Sequence, residues 1–343
     1  MELERAEVPG AALERVPVGP ALVIGFGGSA LGARAVLAVA ARSGGPPAPV
    51  RVLDSLDVAR VRDDLEWAQA HRASLIVVSK SGRTIEVQTL LAALAGGDLG
   101  PRFFVSDPGP KQMDALVGEH VRFEMPAEVG GRYSVFTAVG QVPMRAAGLD
   151  PHALLRGATA EIAGLRADSD HLLAPLWWRA SHPAAASVVW SYDEALGDWV
   201  VWLQQLECES LGRTRSSDRV GELVVPLRGP ADQHSVAQLL LDGPADKRVT
   251  VLDFASEDAP DPLREVSRLR RAARDATFDA QSLPAARMLV RDDTLETLGA
   301  LMLDGMLSTV LLADHMGVDP YGQPAVEQIK KRVVARLSGS QGS

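Results

Sequence analysis

The chain is poor in several residues whose scarcity narrows what it can be. One cysteine, Cys208, stands among 343 residues; no disulfide can form within the chain, and this usage suits a reducing compartment. Asparagine is absent, and of 35 basic residues only five are lysine: Lys80, Lys111, Lys247, Lys330 and Lys331. A bias of codon composition accounts for that split, and it makes a lysine at a candidate site informative. No long uninterrupted apolar run is present. The most apolar late stretch, Gly299 to Ala313, is broken by Asp304 and is too short to span a bilayer. The start, Met1-Glu2-Leu3-Glu4, is acidic where a secretory leader would be basic and then apolar. A net charge of −9 with scattered basic residues argues against a nucleic-acid surface. These absences together predict a cytoplasmic chain with neither membrane nor nucleic acid as partner.

What is present is an alternation of two periodicities. Apolar runs at Ala21–Ile24, Val50–Leu53, Leu75–Val78 and Arg102–Val105, with a weaker one near Val121, read as buried strands. Helical patterns lie between them, at 31–42, 58–70, 84–95 and 110–117, and another follows at 133–147. That order predicts a doubly wound parallel sheet. After a helical connector a second block repeats the theme, with strands at 186–192, 222–227 and 249–254 and helices at 195–211 and 235–241. The last third reads as helical, at 261–276, 295–316 and 326–337, before a disordered tail at 338–343. The expected fold is therefore α/β: two doubly wound parallel-sheet α-β-α sandwiches and a helical C-terminal segment, divided at 1–150, 151–320 and 321–343. A site between the halves would collect loops from the carboxyl ends of the strands.

Two of those loops have the chemistry of an anion site. Gly25-Phe26-Gly27-Gly28-Ser29-Ala30 joins the first strand to the first helix. Glycines such as Gly28 let the backbone approach a ligand, the helix start offers unpaired N–H groups, and Ser29 adds a hydroxyl. The same residues fit a dinucleotide fingerprint, with Asp54 as the acidic partner. On this loop alone both ligands remain open. The second loop, Ser79-Lys80-Ser81-Gly82-Arg83-Thr84, follows the third strand. One hydroxyl would satisfy a helix cap; Ser79, Ser81 and Thr84 with Lys80 exceed that need and favour a sugar phosphate.

The segments 25–33, 79–86, Gly130-Gly131-Arg132-Tyr133-Ser134, Glu209-Ser210-Leu211-Gly212, Gln233-His234 and 323–330 occur in the order found in glucose-6-phosphate isomerases. From about residue 20 to residue 331 the chain resembles that family, and its halves resemble paired sugar-isomerase (SIS) domains. The resemblance implies reversible isomerisation of glucose 6-phosphate and fructose 6-phosphate through an enediol(ate), without cofactor. Aldose–ketose isomerisation needs one base held over two carbons, a group to stabilise an oxyanion and a group to open the ring.

Glu207 and Glu209 are both candidates for the base, and helical periodicity does not choose between them. The resemblance chooses Glu209. It also assigns Arg132 to the enediolate, His234 to ring opening from the neighbouring subunit of a homodimer, Lys330 to the ring oxygen and Gln323 to the phosphate side. Read without it, Arg132, His234 and Lys330 are equally well surface charges or a helix cap. Cys208 has no catalytic role in this reading. The remaining histidines lack His-x-x-x-His spacing, so no metal is expected.

Two positions depart from the family pattern. Arg83 stands where a hydroxyl residue is usual, and Arg213 replaces the lysine that commonly follows the glutamate motif. The chain is also short for the family. Alternatives of broader chemistry are an isomerase that also accepts mannose 6-phosphate, and a sugar-phosphate sensor that binds without turnover.

Overall fold

A computed structural model describes residues 3–45, 47–94, 96–255 and 262–339. After a single turn, α1 (Gly10–Leu13), the chain enters β1 (Ala21–Ile24) and then runs through α2 (Leu31–Arg42), β2 (Val50–Leu53) and α3 (Val58–Ala70). It continues as β3 (Ser74–Val78), α4 (Ile85–Ala93), β4 (Arg102–Ser106), α5 (Asp114–Val117) and β5 (Val121–Glu124). All five strands are parallel, in the order β2-β1-β3-β4-β5. Their apolar runs are near-continuous because both faces are covered. Val23, Ile76, Phe103 and Val105 pack on one side with Ala33, Val139 and Val142; Leu22, Ile24, Val77 and Phe104 pack on the other with Ala68, Val87 and Leu90.

Three helices lead to the second sheet: α6 (Ala138–Ala146), α7 (Ala153–Ala167) and α8 (Asp170–Ser181). Next come β6 (Ala186–Ser191), α9 (Glu194–Leu211), a two-stranded hairpin of β7 (Arg213–Arg215) and β8 (Asp218–Val220), and β9 (Leu223–Arg228). The remainder is α10 (Ala237–Asp242), β10 (Lys247–Phe254), α11 (Arg264–Asp279), β11 (Ala285–Val290), α12 (Leu295–Met316) and α13 (Pro324–Gly339). This sheet is again parallel, in the order β11-β10-β6-β9. The architecture is thus mixed α/β with two parallel sheets and C-terminal helices.

One core joins the halves. Val36 and Val39 of α2 pack with Leu196, Trp199 and Leu203 of α9 and with Met302 and Met306 of α12. Helices α7 and α12 approach so closely that a Cβ on Gly157 would lie 1.8 Å from the Glu296 carbonyl oxygen, and one on Gly299 would lie 2.2 Å from that of Leu154. The helix α12 has its expected bounds, and at 22 residues it is long and apolar enough to cross a membrane by length and composition, where the stretch at 299–313 alone was too short. Here it buries Leu298, Met302 and Met306 in the core.

Several boundaries differ from expectation. Strand β11, an edge strand beside β10, reads Ala-Ala-Arg-Met-Leu-Val and lacks the β-branched enrichment that marks a strand. The helix expected from residue 133 is a 3₁₀ turn at Gly131–Tyr133 followed by α6, whose start Thr137 caps by accepting from the Val139 N–H. His234 closes a second 3₁₀ turn, Ala231–His234, rather than opening a helix. Lys330 falls in the second turn of α13, which continues to Gly339 past the expected end at 337. The tail from 340 on, and the expected helix start at 261, lie outside the described residues.

Candidate active site

The strand order reverses at β1, whose neighbours β2 and β3 lie on opposite sides. The glycine loop after β1 and the hydroxyl loop after β3 therefore lie side by side at the carboxyl ends of the strands, the place where open α/β sheets hold ligands. The glycine loop is a 3₁₀ turn, Gly27–Ser29, and rests on the other 3₁₀ turn at Gly131–Tyr133. A Cβ on Gly28 would come within 2.2 Å of the Gly131 carbonyl, so only glycine allows this contact.

Arg132 follows from that packing. It is 4 % exposed, and each of its nitrogens is engaged. Its Nε donates to Ser210 Oγ at 2.8 Å, and Nη2 donates to the Pro320 and Gly322 carbonyls at 2.5 and 3.1 Å. Nη1 donates to Gln323 Oε1 at 2.9 Å and meets Glu209 Oε2 at 3.4 Å. Tyr133 completes the group, its hydroxyl 2.9 Å from Ser210 Oγ, and burial pushes its pKa up.

Glu209 and Glu207, indistinguishable by period, separate here. Glu207 is 4 % exposed and accepts two bonds from Arg179, each 2.8 Å. Glu209 keeps a quarter of its side chain exposed and faces Arg132. Cys208 between them is half-buried against Val224, and burial raises its thiol pKa.

The hydroxyl loop is partly self-satisfied. Ser79 Oγ lies 2.9 Å from Thr84 Oγ1, and Ser81 Oγ accepts from the Arg83 N–H at 3.3 Å. Lys80 reaches across to the Ala127 and Val129 carbonyls at 2.6 and 2.9 Å. Ser29 remains part-exposed at the glycine loop. Asp54, the acidic residue of the dinucleotide reading, is held by Arg34 and Arg60, each at 3.0 Å.

Three expected residues stand in other relations. Gln323, expected beside the phosphate, hydrogen-bonds Arg132. His234 is exposed, and its ring has no hydrogen-bond partner among the described residues; its neighbour Gln233 anchors the turn on Tyr192 Oη at 2.7 Å and on the Ala273 carbonyl at 3.1 Å. Lys330 is 57 % exposed and pairs with Glu327 at 2.7 Å. The structure therefore brings together Gly28, Arg132, Glu209 and Gln323, and among the described residues no hydrogen bond or ion pair joins His234 or Lys330 to Glu209.

Gln205 was not singled out from sequence. It lies one turn before Glu209 on α9, its Nε2 sits 2.6 Å from where a Cβ on Gly27 would be, and its buried Oε1 has no partner among the described residues. The i, i+4 spacing to Glu209 was the available signal.

One cluster among the described residues groups donors suited to a cation, and it lies on other helices. Glu161 of α7, His171 of α8 and Asp304 of α12 place their donor atoms within 4.8 Å of one another. His171 Nε2 is 2.6 Å from Glu161, and burial followed by the Glu161 charge pushes Asp304 up to about 7.

Comparison with known proteins follows the same line. Residues 16–256 match the phosphoglucose isomerase family. The chain is 31 % identical to a glucose-6-phosphate isomerase of Campylobacter jejuni, over 89 % of this chain and 82 % of that one. It is also 31 % identical to one of Thermus thermophilus, over 93 % and 83 %. Among solved structures, a hypothetical protein from Thermus thermophilus superposes with a TM-score of 0.82 at 29 % identity, covering 95 % and 86 %. A glucose-6-phosphate isomerase from Chlamydia trachomatis, at 19 % identity, shares the fold with a TM-score of 0.79, covering 99 % and 73 %.

Proposed function

We propose, from the premise that the chain belongs to the phosphoglucose isomerase family, that it interconverts glucose 6-phosphate and fructose 6-phosphate through an enediol(ate). The observation that carries the reading is the pairing of a part-exposed carboxylate, Glu209, with a buried arginine, Arg132, beside the glycine loop.

In this reading Glu209 removes the proton at C2 of the aldose and returns it at C1, and the reverse reaction uses the same group. A base so placed is worth about 10²–10⁴-fold. The 3.4 Å contact from Arg132 Nη1 to Glu209 is the longest that this guanidinium makes. It is the one an enediolate oxygen would replace, leaving Ser210, Gln323 and the two loop carbonyls to hold the fork in place. Gln205, with its unpartnered oxygen, would take a sugar hydroxyl.

The phosphate falls to Gly28 and Ser29 on one loop and to Ser79, Lys80, Ser81 and Thr84 on the other. Lys80 would contribute a compact positive charge while tying residues 127–129 to that loop. Ring opening falls to His234 of a second copy, with Lys330 near the ring oxygen. Support for a homodimer is that His234 is exposed on an anchored turn and has no hydrogen bond or ion pair to Glu209 among the described residues. The same division assigns the phosphate loops to residues 1–150, the base and the histidine to 151–320, and the lysine to 321–343.

The test is fructose 6-phosphate turnover, read through a glucose-6-phosphate dehydrogenase couple, for wild type and Glu209→Gln. Turnover lost in the variant supports the base assignment; equal rates refute it. Binding without turnover in the wild type would make the chain a sensor, and mannose 6-phosphate in the same assay sets the breadth of substrate.

A further inference from the structure

We infer that Arg213 is a positioning residue for this reaction: it clamps the loop at 319–323 onto the carboxyl end of the base-bearing helix and so fixes Arg132 and Gln323. The inference rests on the roles given above to Glu209 and Arg132.

The last carbonyls of a helix have no partner within it. At the end of α9 Arg213 meets the Glu209 carbonyl and that of the cap residue Gly212, its Nη1 donating to them at 2.6 and 2.9 Å. The same guanidinium turns its other nitrogens to a distant segment, Nε to the Asp319 carbonyl at 3.0 Å and Nη2 to that of Gly322. Arg132 binds the Pro320 and Gly322 carbonyls from the other side. Gly322 O is thus shared by two arginines, and the two guanidiniums between them meet the carbonyls of Asp319, Pro320 and Gly322. A 3.5 Å bond from Tyr133 Oη to the Pro320 carbonyl adds to their hold. Burial and the neighbouring charge of Arg132 lower the pKa of Arg213, the cost of holding two guanidiniums at one loop.

Beyond these bonds the loop is held by burial of Pro320 and by the Tyr321 ring, tilted against Tyr133 at 5.8 Å. It lies between α12, closed by Gly317 at φ +66°, and Pro324, the first residue of α13. Within it, Tyr321 N–H donates to Asp319 Oδ1 at 2.9 Å. Without Arg213 the loop is tied to the end of α9, among the described residues, through Arg132 and Tyr133 alone, and Gln323 with its bond to Arg132 Nη1 is carried by a looser segment. A planar fork with five donors can span four carbonyls on two segments; a lysine, which commonly stands at this position in the family, presents one nitrogen and cannot. Arg213 touches no proposed substrate atom, so its effect is on the orientation of the residues that do.

The test uses Arg213→Lys and Arg213→Gln, the second kept in case one of them folds poorly. Both are expected to lower kcat roughly 10–100-fold while KM for fructose 6-phosphate stays within about twofold, since misplacement and not binding is what is lost. In an Arg132→Lys background the further loss should be less than about twofold, because residues acting through one another are not additive. Amide hydrogen exchange across 319–324 should speed up in both variants while exchange in β1 and β3 is unchanged. Wild-type kcat in both variants, full multiplication of the two losses, or unaltered exchange at 319–324 would each overturn the inference. The exchange measurement needs no turnover; if the wild type proves inactive, the proposed reaction fails while the clamp is still decided.

Discussion

Glu207 and Glu209 lie two residues apart on one helix and are committed to opposite tasks. Glu207 is buried in a two-bond ion pair with Arg179, while Glu209 stays part-exposed before Arg132. Their consequences on substitution should separate just as sharply. Glu209→Gln is expected to keep its fold and lose about 10²–10⁴ in kcat. Glu207→Gln removes the charge that holds Arg179 by two bonds and leaves it the 3.5 Å contact to Glu222, so it should cost stability, at most about 3–5 kcal/mol. Urea unfolding and steady-state kinetics on both variants check this; a Glu207 variant as stable as wild type would contradict it.

Arg132→Lys should not behave as a conservative change. The lysine cannot serve Ser210, Gln323 and the Pro320 and Gly322 carbonyls together. The loss of an oriented oxyanion donor predicts a fall of about 10²–10³ in kcat. A variant within about threefold of wild type, far short of what such donors contribute, would remove Arg132 from the chemistry.

Gly28→Ala tests the contact between the two 3₁₀ turns. Its Cβ would meet the Gly131 carbonyl at 2.2 Å, so the glycine loop must withdraw. Overpacking of this kind costs about 1–3 kcal/mol. The measurable signs are a lowered melting temperature and weaker binding of inorganic phosphate or fructose 6-phosphate by calorimetry. Unchanged affinity would place the phosphate elsewhere.

Sharing of sites between subunits has a mixing test. Glu209→Gln and His234→Ala, each inactive alone, are unfolded and refolded together. If each site takes Glu209 from one chain and His234 from its partner, half of the dimers carry one intact site, and activity returns to about a quarter of wild type. No recovery, with heterodimers demonstrated by mass, would confine the site to one chain.

Stability should fall as pH rises through neutrality. Burial and the Glu161 charge raise Asp304 from 3.8 to about 7, so the folded state favours its protonated form. That contribution is complete below pH 3.8 and is lost as pH climbs through about 7. His171, raised chiefly by its bond to Glu161, titrates in the same direction: its contribution is present below 6.5 and is lost above its folded value. Asp304→Asn removes the carboxylate pair, and calorimetry at pH 5 and pH 8 should show a smaller drop in melting temperature than wild type. An equal drop would place the pH dependence elsewhere.

The amino-acid order alone determined β1 to β4, the alternation of strands with helices, the glycine loop and the hydroxyl loop. Those are local properties, written in runs of a few residues and in where glycine and serine interrupt them. Edge strand β11 escaped because its alanines, arginine and methionine carry little strand signature. The site was legible only as a set of motifs. Which of two glutamates faces Arg132, that Gln323 binds that arginine from 191 residues away, and that Arg213 ties the loop at 319–323 to α9 were decided by tertiary packing. So was the meeting of Glu161, His171 and Asp304 from three helices. Periodicity reports which way a side chain points from its own element; the partner it finds depends on how distant elements pack, and no local pattern carries that information.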